Sequence, residues 1–539
     1  MNTFEAPPRD ARVATLPPPF VPKLPPQVKV TSVATMPSPG LPGAPPHAPH
    51  APQGAPKVQG VPMHLLFTND SMPPPKRKKK GKAAKKFLGL LVVAGLAVGG
   101  VLAYQRFRPF DAPHPDAWDP RVTELVAFVE QTRGLTFEHP IAIDFLSEEQ
   151  FLAQTRADAA AISPDDAEMA AYASELFDAF GLATGYDPGA GQSTLSAAIT
   201  LGSYSPETDR ITVRGNELTA GVRVTVVHEL THALQAQHFD LHGKAGDVPM
   251  RSIAEADAMR IEDAYLATLT PEEQAAARAA DTMSPEGAGQ LATLPWTVVE
   301  FQYAPYVLGP ALLRSVLDRR GNAGVDALLA NPPTEEQLIA SWQWRPDGDE
   351  PAVGITAVEP QGADVLEDST PLSMLEMVVM LDAWLPWTLA RSAVDHWQSA
   401  AYTSYRKTPG GPLCVTVTTA LDGDTATFVA AITWWSTTIG SPTRPYERDG
   451  MVTFEVCARG ATGANPPPPV VQPTTAMLLE NAAVPATAND LATAAPHLCA
   501  ARTVIDDPNT APLLTMMRSP QQQAQVEAAL AAARAACGG

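Results

Sequence analysis

Two histidines one helical turn apart, in His228-Glu-Leu-Thr-His232, constrain this 539-residue chain more than any other feature. On an α-helix, positions i and i+4 project from one face, so two imidazoles at this spacing can share one metal ion. Glu229 lies about 100° around the helix from His228, which suits it to a water on the ion better than to the ion itself. Val222, Val226, Leu230 and Ala233 form an apolar stripe along the same segment, so the helix is expected to lie buried beneath a sheet. Two strand-like runs just upstream, 196–204 and 211–213, flank the turn Ser205-Pro-Glu-Thr-Asp209 and supply such a sheet.

With zinc as the ion, a bound water of lowered pKa becomes a nucleophile at neutral pH. Glu229 would take its proton as general base and return it to a leaving amine. Such a site needs a third protein ligand. His238 stands six residues beyond His232, the spacing of the metzincin pattern His-Glu-x-x-His-x-x-Gly-x-x-His. Gln235 occupies the glycine position, however, and an unbroken helix points His238 about 240° away from His232. Glu255 follows His232 after 22 intervening residues, close to the spacing at which gluzincins place a glutamate from the next helix. Ser252 and Glu255 also read as a capping box, which would give Glu255 a purely structural use. Glu262 shares the Glu255 face and is a further ligand or a support for one, and Asp257 could orient a ligand histidine. The expected metal ligands are His228, His232 and Glu255, with His238 and Glu262 as alternatives.

Charge is segregated along the chain. Residues 1–86 hold 13 Lys/Arg against 3 Asp/Glu, whereas residues 109–539 hold 23 against 55. So acidic a globular part repels phosphate backbones, which excludes nucleic acid as its partner. Twenty of the 55 prolines precede Lys76. That stretch cannot bury enough apolar area to offset its ordering entropy and is expected to be a disordered tail, one that could dock on a cytoplasmic Pro-reading partner. Eight Lys/Arg between Lys76 and Lys86 precede an uncharged apolar run, 87–104. Its 18 residues are long enough for a thin bilayer, and the basic block holds the N-terminal end in the cytoplasm. The expectation is a single-pass cell-membrane protein with its C-terminal part periplasmic or extracellular.

Ser147-Glu-Glu-Gln150 and Thr334-Glu-Glu-Gln337 are capping boxes that start helices. Helices are expected near 164–180, 219–239, 252–269 and 297–320, the last stopped by Gly321. Farther on, 372–405 reads as helical, and 413–420, 425–435 and 451–458 read as strands. All four cysteines lie in this last third. Cys414 and Cys457 fall on neighbouring strand-like runs, Cys499 and Cys537 on helix-like ones, so disulfides are expected between those pairs; four buried thiols are the alternative. His396, in Asp395-His-Trp397, reads as a packing or surface residue.

The stretch His228-Glu-Leu-Thr-His-Ala-Leu-Gln-Ala-Gln-His-Phe-Asp240 resembles a set of bacterial and archaeal zincin-like proteins. These combine a HELTHALQDQHFDL helix with EGDA-like, PYxxG and PPxSTEQ segments. The matches here are Glu255-Ala-Asp-Ala258, Pro305-Tyr-Val-Leu-Gly309 and Pro332-Pro-Thr-Glu-Glu-Gln337, with Ala256 in place of the EGDA glycine. The resemblance covers roughly residues 195–340 and implies a gluzincin-type metallopeptidase fold and metal site, without implying a substrate. Zincins pair an extended peptide with an edge strand above the active-site helix, a role expected near 198–204. They also use a Tyr or His to stabilise the oxyanion; Tyr303 and Tyr306 are the candidates.

The expected fold class is therefore α+β: a small mixed sheet over an active-site helix, then a helical subdomain. The expected organisation is a tail with its basic block at 1–86, a transmembrane helix at 87–104, a linker at 105–120, a zincin-like catalytic domain at 121–349 and a C-terminal α/β accessory region at 350–539. The expected function is a zinc peptidase acting on protein or peptide substrates, with a catalytically silent zincin-fold scaffold as the alternative.

Overall fold

The structure, a computed structural model, describes residues 114–538 apart from short stretches at 161–163, 188–189, 192–193, 196–200, 207, 240, 242–247, 282–284, 345–353, 359, 361–362, 424, 486–487, 489 and 515–519. Two sheets and 15 α-helices make up this mixed α/β chain among the described residues.

The first sheet has the order β1-β3-β2, from Ala142–Leu146 (β1), Gly202–Ser205 (β2) and Arg210–Arg214 (β3). β1 runs parallel to β3, and β2 pairs antiparallel with β3, leaving β2 at an edge. Helix α1 (Thr123–Arg133) precedes β1, and α2 (Glu148–Ala160) and α3 (Pro164–Ala179) lie between β1 and β2. The Ser147 box forms at the start of α2: Gln150 N–H donates to Ser147 Oγ, and Ser147 N–H donates to Gln150 Oε1. Helix α4 (Ala220–His238) follows β3, with Thr219 capping it by accepting from Val222 N–H. Its buried Val226, Leu230, Ala233 and Leu234 share one apolar cluster with Tyr204, Ile211 and Val213 of the sheet and with Leu125 and Val129 of α1. The apolar stripe thus seats α4 between sheet and helix.

Next come α5 (Val248–Thr268), α6 (Pro271–Ala280), α7 (Pro285–Leu291), α8 (Trp296–Ala330) and α9 (Glu335–Ile339). Gly321 breaks α8 as expected, but as a kink (φ 60°, ψ −155°) after which the helix resumes to Ala330. Helices α5 and α8 meet at Gly309, where an added Cβ would stand 1.9 Å from the Ser252 carbonyl oxygen. Only a residue without a side chain permits that approach.

The second sheet is antiparallel, in the order β4-β5-β6-β8-β7. Its strands are Asp364–Leu372 (β4), Trp397–Arg406 (β5), Leu413–Leu421 (β6), Tyr446–Arg448 (β7) and Met451–Cys457 (β8). Helices α10 (Met374–Asp382), α11 (Trp387–Ala393), α12 (Ala426–Thr438), α13 (Pro473–Ala483), α14 (Leu491–Asp506) and α15 (Pro520–Ala536) complete the chain. Cys414 and Cys457 face each other across β6 and β8 and are bonded, as are Cys499 and Cys537. Two expectations are corrected here. The segment 397–405 is strand rather than helix, and 426–438 is helix rather than strand. Phe428, Ala431, Ile432, Trp435 and Ser436 are the buried positions of α12, a 3–4 residue period that outweighs the β propensity of its Thr, Val and Trp. One apolar core draws on both sides of residue 350, from Ala179, Phe180 and Leu308 to Val417, Phe454 and Val504.

The membrane expectation is also corrected. No helix among the described residues is long and apolar enough to cross a membrane. The longest, α8, carries Glu300, Arg314, Asp318, Arg319 and Arg320, charges that a bilayer core disfavours. The expected span 87–104, like the tail, lies outside the described residues. A single-pass protein with its C-terminal part outside the cell is not supported, and the described residues form a mixed α/β architecture.

Two predictions follow from this packing. Gly309→Ala forces α5 from α8 and should lower stability by about 1–3 kcal/mol, read as a drop in the urea midpoint. Glu300 is buried between α8 and α13, where it accepts from Thr474 N–H at 2.6 Å, and burial raises its carboxyl from 4.5 to about 7. Between those values the folded chain keeps a proton that the unfolded chain has lost, so stability falls as pH rises through this window. Glu300→Gln should match the wild type near pH 4 and exceed it above pH 7 by about 3 kcal/mol, measured as urea midpoints against pH.

Candidate metal centre

Three buried donors converge between α4 and α5. His228 Nε2 and His232 Nε2 lie 3.1 Å apart. Glu255 Oε2 lies 3.3 Å from the first and 3.2 Å from the second. A tetrahedral zinc site with bonds of about 2.0–2.1 Å spaces neighbouring donors roughly 3.3–3.4 Å apart, so the triangle is close to the size such an ion needs. Among the described residues this is the one cluster of His, Cys, Asp or Glu that could hold a metal ion.

The second nitrogen of each ring is also held. His228 Nδ1 lies 3.0 Å from Glu262 Oε2, and His232 Nδ1 lies 3.1 Å from Gln235 Oε1. Both partners are acceptors, so each ring carries its proton on Nδ1 and turns the Nε2 lone pair toward the shared point. Ser252 is not a helix cap. It lies inside α5 and donates to the Val248 carbonyl at 2.7 Å, so Glu255 has no capping use. His238 is exposed at the end of the unbroken α4, with Nε2 2.8 Å from the Thr136 carbonyl, and it does not join the cluster. Glu262 serves His228 from behind.

Glu229 lies beneath the edge strand. An added Cβ on Gly202 would stand 2.6 Å from Thr225 and 3.2 Å from Glu229 Oε1, so glycine there allows β2 to lie against α4. The Tyr204 backbone N–H bonds the Glu229 carboxylate. Its Oε2 is buried with no hydrogen-bond partner among the described residues. A carboxylate oxygen left so is costly, and beside three metal donors it is where a water on the ion would be received.

Electrostatics couple these groups. Burial opposes protonation of His228, but Glu255 and Glu262 outweigh it and hold the imidazole well above its usual range. His232 is raised likewise against burial, chiefly by Glu255. Burial would raise Glu255, yet the two imidazoles hold its carboxyl below the usual range. Glu229 is pushed up by burial. In the metal-free chain the cluster is thus stabilised by protons on the rings, and a metal ion would take their place.

Tyr306 is buried beside this group, with the Arg251 guanidinium 5.6 Å from its ring centroid. Burial, with the Glu255 charge behind it, pushes its phenol upward. Tyr303 packs against Leu195, Val298 and Val307. His396 stands against the Gly423 turn, its Nδ1 3.0 Å from where a Gly423 Cβ would lie. Sequence reasoning missed two contributors. Gln235 was read there only as a missing glycine. Arg133, whose Nε donates to Asp257 at 2.7 Å across 124 residues, leaves no local signal.

No family model, no curated protein and no solved structure matches this chain.

Because metal must displace ring protons, zinc affinity should fall steeply between pH 8 and pH 6 in chelator competition. Glu262→Gln, which weakens the hold on His228, should lower affinity about tenfold or more at pH 8. A pH-independent affinity would contradict the ring-proton account.

Proposed function

We propose that this chain is a zinc-dependent peptidase of the gluzincin type, with His228, His232 and Glu255 as metal ligands and Glu229 as general base. The observation that carries the reading is the buried Glu229 Oε2, without a hydrogen-bond partner among the described residues, beside a donor triangle with edges of 3.1–3.3 Å. A purely structural metal site has no need of a further acidic group beside its donors. Two imidazoles and a carboxylate form a donor set used by catalytic zinc, which leaves a position open to water and substrate. The burial and acidity of the surroundings favour a divalent cation over an anionic ligand.

When bound, zinc supplies the Lewis acidity that lowers the pKa of an attacking water to about 7. Glu229, raised by burial, would accept the proton of that water and pass it to the amine leaving the scissile bond. Glu262 and Gln235 keep the rings oriented while charge develops. β2 is an edge strand lying over α4, so an extended peptide can add to it by backbone hydrogen bonds with its scissile bond held over Glu229. Tyr306 senses the Glu255 charge whereas Tyr303 senses that of Glu300, which makes Tyr306 the better candidate to steady the oxyanion.

Hydrolysis of a peptide library by the full-length chain tests this. Glu229→Gln should keep zinc and lose about 10²–10⁴-fold in rate. Full activity in that variant would end the mechanism. Stoichiometric zinc without cleavage of any peptide would favour a silent scaffold.

A further inference from the structure

A chain of buried polar groups runs from α1 to the metal ligands. Arg133, Asp257 and Gln235 are each 0% exposed. Arg133 Nε donates to Asp257 Oδ2 at 2.7 Å, and its Nη2 stands 2.6 Å from Asp326 Oδ1 on the segment of α8 beyond the Gly321 kink. Arg260 holds the other Asp257 oxygen at 2.8 Å and bridges to Asn322, which donates to the Thr132 carbonyl at the end of α1. Gln235 Nε2 donates to Asp257 Oδ2 and to the Ala254 carbonyl, both at 3.0 Å.

The orientation of the Gln235 amide follows from these partners. Two acceptors face one end, so that end is the NH₂ and the oxygen faces His232. A carbonyl oxygen 3.1 Å from His232 Nδ1 requires a proton on Nδ1, so Nε2 is the nitrogen that can give up its proton to a metal. Were the amide reversed, its NH₂ would meet Nδ1, the proton would move to Nε2, and the ring could not take a metal.

We infer that Arg133, acting through Asp257 and Gln235, is a positioning residue that selects the metal-binding tautomer of His232. Arg133 fixes the Asp257 carboxylate in its buried place, Asp257 fixes the amide, and the amide fixes the proton. The inference rests on the proposed metal site but concerns groups that touch neither ion nor substrate. It also gives the α8 kink a use, since the segment after Gly321 brings Asn322 and Asp326 onto the same ion pairs.

Zinc affinity by chelator competition decides the matter, in full-length wild type, Gln235→Leu, Arg133→Lys and the double variant. Gln235→Leu leaves every Arg133 ion pair in place and should weaken zinc about 10–100-fold, with a changed visible spectrum of the cobalt-loaded protein. Arg133→Lys should weaken zinc in the wild-type background and add no further loss in the Gln235→Leu background. If Arg133→Lys does not fold, Asp257→Asn takes its place in the cycle. Affinity within twofold of wild type in Gln235→Leu, or an undiminished second loss in the double variant, overturns the inference. A wild type that takes no zinc overturns the functional reading as well.

Discussion

The structure depends on holding two imidazoles and a carboxylate within about 3.3 Å of one another in a place that water scarcely reaches. Such a cluster is costly to bury unless a cation shares it. In the metal-free chain that cation is a proton on the rings, and a divalent ion at the centre would answer the same need. The remaining contacts of the site limit where each ring and each oxygen can turn, so the donors meet at one point.

That confinement is a property of packing as much as of polar contacts. The His228 helix is pinned by its apolar stripe against the three-stranded sheet and α1. The Glu255 helix is pinned from the other side by α8, which approaches through Gly309. Between the two, Gln235 and Glu262 tie each ring to the helix opposite or to its own helix. Relaxing any of these elements by an ångström would cost affinity, because ligand geometry tolerates little displacement.

The local parts of this arrangement were legible in the sequence. His228, Glu229 and His232 stand out because helical spacing converts sequence order into a shared face. Glu255 was reachable from its distance along the chain, and the unbroken helix explains why His238 does not join. The capping boxes at Ser147 and Thr334 form as written. What escaped is non-local. Arg133 acts across 124 residues, and nothing near it in sequence marks it. The segment 425–435 reads as a strand by its β-branched and aromatic residues, whereas their helical period prevails in the helix 426–438, and 397–405, read as helical, is an interior strand. The membrane placement rested on an apolar run outside the described residues, and the helices that are described do not provide a span.

X-ray absorption at the zinc edge of the purified, full-length protein tests the central claim most directly. The account predicts one zinc per chain bound by nitrogen and oxygen at about 2.0–2.1 Å, with the multiple scattering of two imidazoles and no sulfur. Sulfur ligands, a single imidazole, or a protein that takes up no divalent ion would contradict it.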